Sequence, residues 1–64
     1  MAKINVAAMY ENGKKVQFSV NKDKNDVFIS DDRKWLVTCV KGDNQNIVGL
    51  LTLNNIITLK IDEE

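Results

Sequence analysis

Hydrophobic and polar residues alternate along much of this chain, and turn-forming residues interrupt the alternation at short intervals. A period of two is typical of half-buried β-strands, and clusters of Asn, Asp and Gly mark the turns between them. The pattern predicts six strands, at 3–10, 14–21, 26–30, 35–41, 46–53 and 56–61. We therefore expect a single all-β domain over residues 1–64, either a small antiparallel, partly open barrel of SH3-like or OB-like kind or a compact sandwich.

The first two predicted strands form a hairpin whose register follows from the apolar pattern. The dipeptide Asn12-Gly13 favours a two-residue turn, but that turn mixes apolar and polar residues on both faces. A three-residue loop that starts at Glu11, with Gly13 left-handed in a bulge, instead places Val6 opposite Phe18 and makes one face almost wholly apolar. Because a one-residue slip exchanges the two faces, burial favours the bulged loop.

The last two predicted strands are apolar at most positions. A two-residue turn at Asn54-Asn55 would make them a hairpin, with Leu50 opposite Leu59 and Val48 opposite Ile61 on a core face. The other face is apolar as well, which indicates either a strand buried on both sides or a surface that meets a partner. The candidate partner-binding residues are Trp35, Ile47, Leu51, Leu53 and Ile56. The alternative for this segment is a helix around 46–59, which would make the fold α+β.

The charge balance weakens, but keeps open, a role in nucleic-acid binding. Nine basic and nine acidic residues cancel, whereas nucleic-acid-binding domains are usually basic as a whole. A small β-barrel that binds single strands by stacking bases on exposed aromatics is the alternative function. Its candidate contacts are Lys14, Lys15, Lys22 and Lys24. We expect the four aromatic side chains to belong to the core and not to a stacking platform: Tyr10, Phe18, Phe28 and Trp35. For Trp35, which opens a strand directly after a charged turn, the anchor of a binding surface is the alternative to a core position.

Candidate residues for catalysis or metal binding are few. The chain has no histidine and one cysteine, Cys39, which lies in an apolar run and is expected to be a buried, unreactive side chain. The segment Asp31-Asp32-Arg33-Lys34 is expected to be a charged turn between strands, not a carboxylate pair for acid–base chemistry. We therefore expect a protein that is not an enzyme and that holds no cofactor and no metal.

The length of the chain bears on its partners. A domain of this size buries only about 60% of the surface of its unfolded chain, so association with another protein adds needed stability. The sequence therefore predicts a small protein-binding domain whose partner is another protein or a second copy. The free cysteine, the lack of a glycosylation sequon and the lack of a membrane-length apolar segment favour the cytoplasm. The abundance of Asn, Lys and Ile resembles bacterial or phage coding sequence.

Overall fold

Six antiparallel β-strands make up the computed structural model, which describes residues 2–64. The strands are β1 Lys3–Tyr10, β2 Lys15–Asn21, β3 Asn25–Ile29, β4 Trp35–Val40, β5 Asp43–Thr52 and β6 Ile56–Glu63. They form two three-stranded sheets, sheet I in the order β2-β1-β6 and sheet II in the order β3-β4-β5, which do not join into a closed barrel. The all-β prediction is confirmed. The alternative of a helix around 46–59 is wrong, because β5 and β6 occupy that segment.

The first hairpin has the predicted register. Val6 lies opposite Phe18, and Ala8 lies opposite Val16. Gly13 has a φ of 86°, and its N–H donates to the carbonyl oxygen of Tyr10 at 2.9 Å. An L-residue with a side chain resists this left-handed conformation, which is why the loop carries glycine at that position.

The predicted hairpin of the last two strands is wrong. β5 pairs with β4, and β6 pairs with β1, so Leu50 and Leu59 belong to different sheets. The segment around Asn54-Asn55 crosses from sheet II to sheet I, and Asn55 adopts a φ of 61° there. Two main-chain bonds fix the crossing: Leu53 N–H donates to the Lys34 carbonyl oxygen, and Glu11 N–H donates to the Asn55 carbonyl oxygen, both at 2.9 Å.

The core lies between the two sheets. Ile4 and Val6 of β1 meet Leu36 of β4, and the last two are 2% and 1% exposed. The half-buried apolar side chains that pack against this cluster are Phe18, Val20, Val27, Leu51, Leu53 and Leu59. The core therefore draws on both sheets, and Leu51 and Leu53, expected at a partner surface, contribute to it.

The middle of strand β4, residues 36–39, is buried on both of its faces. Leu36 packs into the core between the sheets, and side chains alternate along a strand, so Val37 and Cys39 point away from sheet I. Both are nonetheless buried, and the prediction of a buried Cys39 is confirmed. Side chains from the flanking strands β3 and β5 must therefore cover the outer side of β4.

Candidate protein-binding face

The outer side of sheet II carries an apolar row that spans all three strands. Val37 of β4 lies directly opposite Phe28 of β3 and Leu50 of β5. Phe28 is 38% exposed and Leu50 is 56% exposed, so both flank and shield Val37 while their own outer surfaces meet solvent. Directly opposed side chains on one sheet face lie about 5 Å apart, so the three form one continuous apolar surface.

The neighbouring rows extend this surface along the strands. Cys39 lies opposite Asp26 on one side and Ile47 on the other, and Trp35 lies opposite Thr52. Trp35 is 41% exposed, and Ile47 is also exposed. The apolar outer face is defined here as the outward apolar side chains of sheet II: Phe28, Trp35, Val37, Cys39, Ile47 and Leu50.

The outer side of sheet I has the opposite character. Its residues are mostly polar or charged, and two of them, Lys60 and Asp62 of β6, form an ion pair at 3.7 Å. The side chains that the register places on that side are Lys3, Asn5, Ala7, Met9, Lys15, Gln17, Ser19, Asn21, Thr58, Lys60 and Asp62. A sheet face that meets only water is expected to look like that of sheet I, and the outer side of sheet II is the more apolar of the two outer sides.

Strand β5 forms one border of the apolar outer face, and it is an edge strand of sheet II. Residues 44–59 contain no charged side chain, although edge strands commonly carry charges that prevent unwanted pairing. The register of β5 against β4 shifts on both sides of Cys39, so the ladder is irregular at its first half. Such bulges protect an edge from strand addition, which leaves the flat face as the more accessible surface of sheet II.

The loop between β3 and β4 lies at one end of the apolar outer face and contains the basic residues Arg33 and Lys34. In this β3–β4 loop, Ser30 N–H donates to the Trp35 carbonyl oxygen, and Arg33 N–H donates to the Ser30 carbonyl oxygen, both at 2.9 Å. Arg33 has a φ of 60°, a left-handed conformation that few residues with side chains adopt. An open recess of about 500 Å³ lies beside the loop and is lined by Arg33, Lys34, Trp35, Thr52, Leu53 and Asn54. We call it the Trp35 recess.

The acidic residue Asp32 is held inside the same loop. Its Oδ1 accepts hydrogen bonds from the Ser30 hydroxyl at 2.6 Å and from the Lys34 N–H at 3.0 Å. The Ser30 hydrogen bond, supported by that of the Lys34 N–H, lowers the pKa of Asp32 below its ordinary value. Arg33 and Lys34 are among the residues that line the Trp35 recess, whereas Asp31 and Asp32 are not.

The structure divides the predicted partner-binding residues between two places. Trp35 and Ile47 lie on the apolar outer face, whereas Leu51 and Leu53 pack against the core and Ile56 is half-buried in β6. The sequence pattern predicts core positions for Phe28 and Leu50, and the structure places both on the apolar outer face instead. A signal for them exists in residues 35–40, where apolar side chains at both odd and even positions require cover on two sides.

The expectation of a core position holds for Tyr10 and Phe18 and fails for Phe28, whereas Trp35 occupies the exposed one of its two alternative positions. Tyr10 is buried, and Phe18 packs against the core cluster. Phe28 and Trp35 instead lie on the apolar outer face, because the register of β3 and β4 turns them away from sheet I.

The four lysines of the nucleic-acid alternative lie apart from the exposed aromatics. Lys14 and Lys15 follow the hairpin loop of sheet I, and Lys15 faces the outer side of that sheet. Lys22 is ion-paired with Glu63 at 2.8 Å. Lys24 lies in the turn before β3. The fold therefore does not assemble these lysines into one basic track beside Phe28 and Trp35.

The described residues hold no metal-binding cluster and no membrane-spanning helix. Among residues 2–64, no group of three His, Cys, Asp or Glu side chains is placed to hold a metal ion. No helix in the described part of the chain is long and apolar enough to cross a membrane. Comparison with protein-family models, with curated proteins and with solved structures gave no match.

Proposed function

We propose that this chain is a non-enzymatic interaction domain that binds another protein through the apolar outer face. The observation that carries the proposal is the row in which Val37 lies between Phe28 and Leu50, across all three strands of sheet II. The two flanking side chains remain 38% and 56% exposed. Covering them with apolar side chains of a partner contributes about 25 cal/mol for each Å² removed from water.

The composition of the surface also supports protein recognition. Tryptophan and arginine are enriched among the residues that contribute most to protein–protein binding, and Trp35 and Arg33 are neighbours at one end of this face. The one charged side chain that the strands of sheet II place on the face is Asp26, opposite Cys39. A single acid on an otherwise apolar surface suits a protein partner better than a polyanion, whose phosphates it would repel.

A second copy of the chain is the first partner to test. Sedimentation equilibrium over a wide concentration range measures self-association directly. If two copies join through the apolar outer face, Leu50→Lys converts the dimer to a monomer, and Gln17→Lys on the polar outer side of sheet I leaves it intact. A wild-type chain that stays monomeric restricts the proposal to a different protein.

Site-specific crosslinking tests the proposal whichever protein is the partner. Leu50 is replaced by the photoreactive amino acid p-benzoylphenylalanine, and a matched variant carries the same group at Gln17. After irradiation of cells that express the chain, mass spectrometry identifies the crosslinked proteins. We expect one defined adduct, with this chain or with another protein, from position 50 and none from position 17. Absence of an adduct at position 50, or the same adducts from both positions, would contradict the proposal.

A further inference from the structure

We propose that the Trp35 recess binds a carboxylate side chain of the protein partner, with Arg33 and Lys34 supplying the charge and Trp35 the apolar wall. This inference rests on the proposed function and adds the chemistry of the partner. The partner segment is expected to contain an Asp or Glu flanked by apolar residues, so that the acid enters the recess while its neighbours cover Val37 and Leu50.

The first observation is that the basic residues of the recess form no salt bridge within residues 2–64, although the charge of Lys34 adds to the hydrogen bonds from the Ser30 hydroxyl and the Lys34 N–H that lower the pKa of Asp32. The ion pairs found among residues 2–64 join Lys22 to Glu63 and Lys60 to Asp62, so they engage neither Arg33 nor Lys34. Both of these cations line the recess. A carboxylate placed there gains charge-assisted hydrogen bonds without displacing an existing one.

The second observation is the shape of the loop that carries the cations. The Ser30 hydroxyl and the Lys34 N–H hold the carboxylate of Asp32 within the loop. The main-chain N–H of Trp35 donates in turn to the Ser30 hydroxyl oxygen at 3.1 Å. These bonds fix the backbone on either side of Arg33, which reduces the conformational entropy lost when a ligand binds.

The third observation is the position of the recess. Thr52 lines the recess and lies opposite Trp35. On the outer side of sheet II, this pair is the neighbour of the pair formed by Val37 and Leu50. A partner strand or loop that crosses the apolar outer face therefore reaches the recess without a gap. The two ends of the apolar outer face differ in charge. Arg33 and Lys34 make the Trp35 end basic, and Asp26, two residues before Phe28 in β3, makes the other end acidic.

The acidic tail of a second copy is a poor candidate for this carboxylate. Glu63 forms an ion pair with Lys22 at 2.8 Å within its own chain, and Glu64 accepts a hydrogen bond from Asn5 at 3.0 Å. Moving the tail to another copy would first break these contacts. We therefore assign the recess to a carboxylate of a different protein, and a dimer that joins through the apolar outer face and closes the recess would overturn this assignment.

Selection from a random peptide library tests the inference. Nine-residue peptides displayed on phage are selected in parallel against the wild type, against Arg33→Gln/Lys34→Gln, and against Lys14→Gln/Lys15→Gln, which removes the same charge from the hairpin of sheet I. We expect peptides with an Asp or Glu between apolar residues to be enriched by the wild type and by the Lys14/Lys15 variant. The Arg33/Lys34 variant should lose that acid preference.

Synthetic versions of the enriched peptides then measure the effect. Trp35 is the only tryptophan in the chain, so its fluorescence reports binding at the recess. Changing the peptide acid to its amide should weaken binding to the wild type by roughly 1.5- to fivefold, as expected for exposed ion pairs, and should change binding to Arg33→Gln/Lys34→Gln little.

The possible outcomes separate this inference from the proposed function. Enriched apolar peptides without an acid would overturn the inference and leave the proposed function standing. The same conclusion follows if the acid-to-amide change has equal effects on the wild type and on the Arg33/Lys34 variant. A selection that enriches nothing contradicts both. Trp35 fluorescence also measures binding of an octamer of thymidine. If the octamer binds more tightly than any peptide and its affinity falls with added salt, the recess is assigned to nucleic acid instead.

Discussion

The hydroxyl of Tyr10, at the end of β1 in sheet I, donates a 2.6 Å hydrogen bond to the main-chain carbonyl oxygen of Thr52, at the end of β5 in sheet II. The side chain is buried, so the bond joins the two sheets at the point where the chain crosses between them. The bond also holds one border of the Trp35 recess in place, because its acceptor residue Thr52 and the following residue Leu53 both line that recess.

Removal of this bond should destabilise the domain as a whole. Tyr10→Phe keeps the ring in the core but leaves the carbonyl oxygen of Thr52 without the phenol as donor, which costs about 1–2 kcal/mol of unfolding free energy. In a domain of this size, a loss of 1 kcal/mol lowers Tm by about 4–8 °C. Thermal unfolding followed by circular dichroism measures the change. An unchanged Tm would show that the bond contributes nothing net.

Position 13 should require glycine because of its left-handed backbone conformation, and not because a larger side chain would clash with neighbouring atoms. Its φ is 86°, and a Cβ added there would meet no atom within 4 Å, so Gly13→Ala isolates the conformational cost. We expect a loss of about 1–2 kcal/mol in urea unfolding, with an unchanged dependence on denaturant.

Gly49 provides the matched control for Gly13. A Cβ at position 49 would lie 3.8 Å from the Thr38 Cβ, an ordinary van der Waals distance, and its φ is not in the left-handed region. Gly49→Ala should therefore be neutral or stabilising by up to about 1 kcal/mol. Equal losses for the two substitutions would contradict the bulged loop with a left-handed Gly13.

The loop that carries Arg33 should respond to acid through Asp32. The Ser30 hydroxyl lowers the pKa of this carboxyl, so Ser30→Ala should raise it. Because the pKa in the folded state lies below that in the unfolded state, Asp32 stabilises the fold at pH values above its unfolded pKa. That contribution is lost as the pH falls through the folded pKa. Ser30→Ala should reduce this acid dependence.

An NMR titration of the Asp32 carboxyl carbon measures the effect directly. Ser19→Ala, on the outer side of sheet I, is the control and should leave the titration of Asp32 unchanged. If Ser30→Ala does not move the pKa of Asp32 either, the hydrogen bond to the Ser30 hydroxyl is not what lowers it.

The sequence could predict the first hairpin in full because its two faces differ in polarity. Only one register gathers Val6 and Phe18 on one side, and β1 and β2 adopt it. The pairing partners of β5 and β6 could not be predicted in the same way. Their apolar residues occupy both odd and even positions, so alternation does not say which side is buried.

A weaker signal for the true partner of β6 does exist. Thr58, Lys60 and Asp62 alternate with apolar residues, as Lys3 and Asn5 do in β1. The structure places Lys60 opposite Ala7 and Asp62 opposite Asn5 on the polar outer side of sheet I. Trp35 was identified as a surface candidate from its residue type, whereas the exposure of Phe28 and Leu50 followed only from the register of sheet II.

The order of the strands also bears on how the chain folds. Sheet II is made from three consecutive strands, but sheet I needs β6 to pair with β1. The pairing of β1 with β6 joins the two strands that are farthest apart in the sequence. Contacts between such distant residues slow folding, because a long stretch of chain must be closed into a loop. During synthesis, one edge of β1 therefore stays unpaired until β6 emerges, while sheet II can already form. Stopped-flow refolding should then be slowed more by Val37→Ala, in sheet II, than by Ile61→Ala, at the contact that closes last.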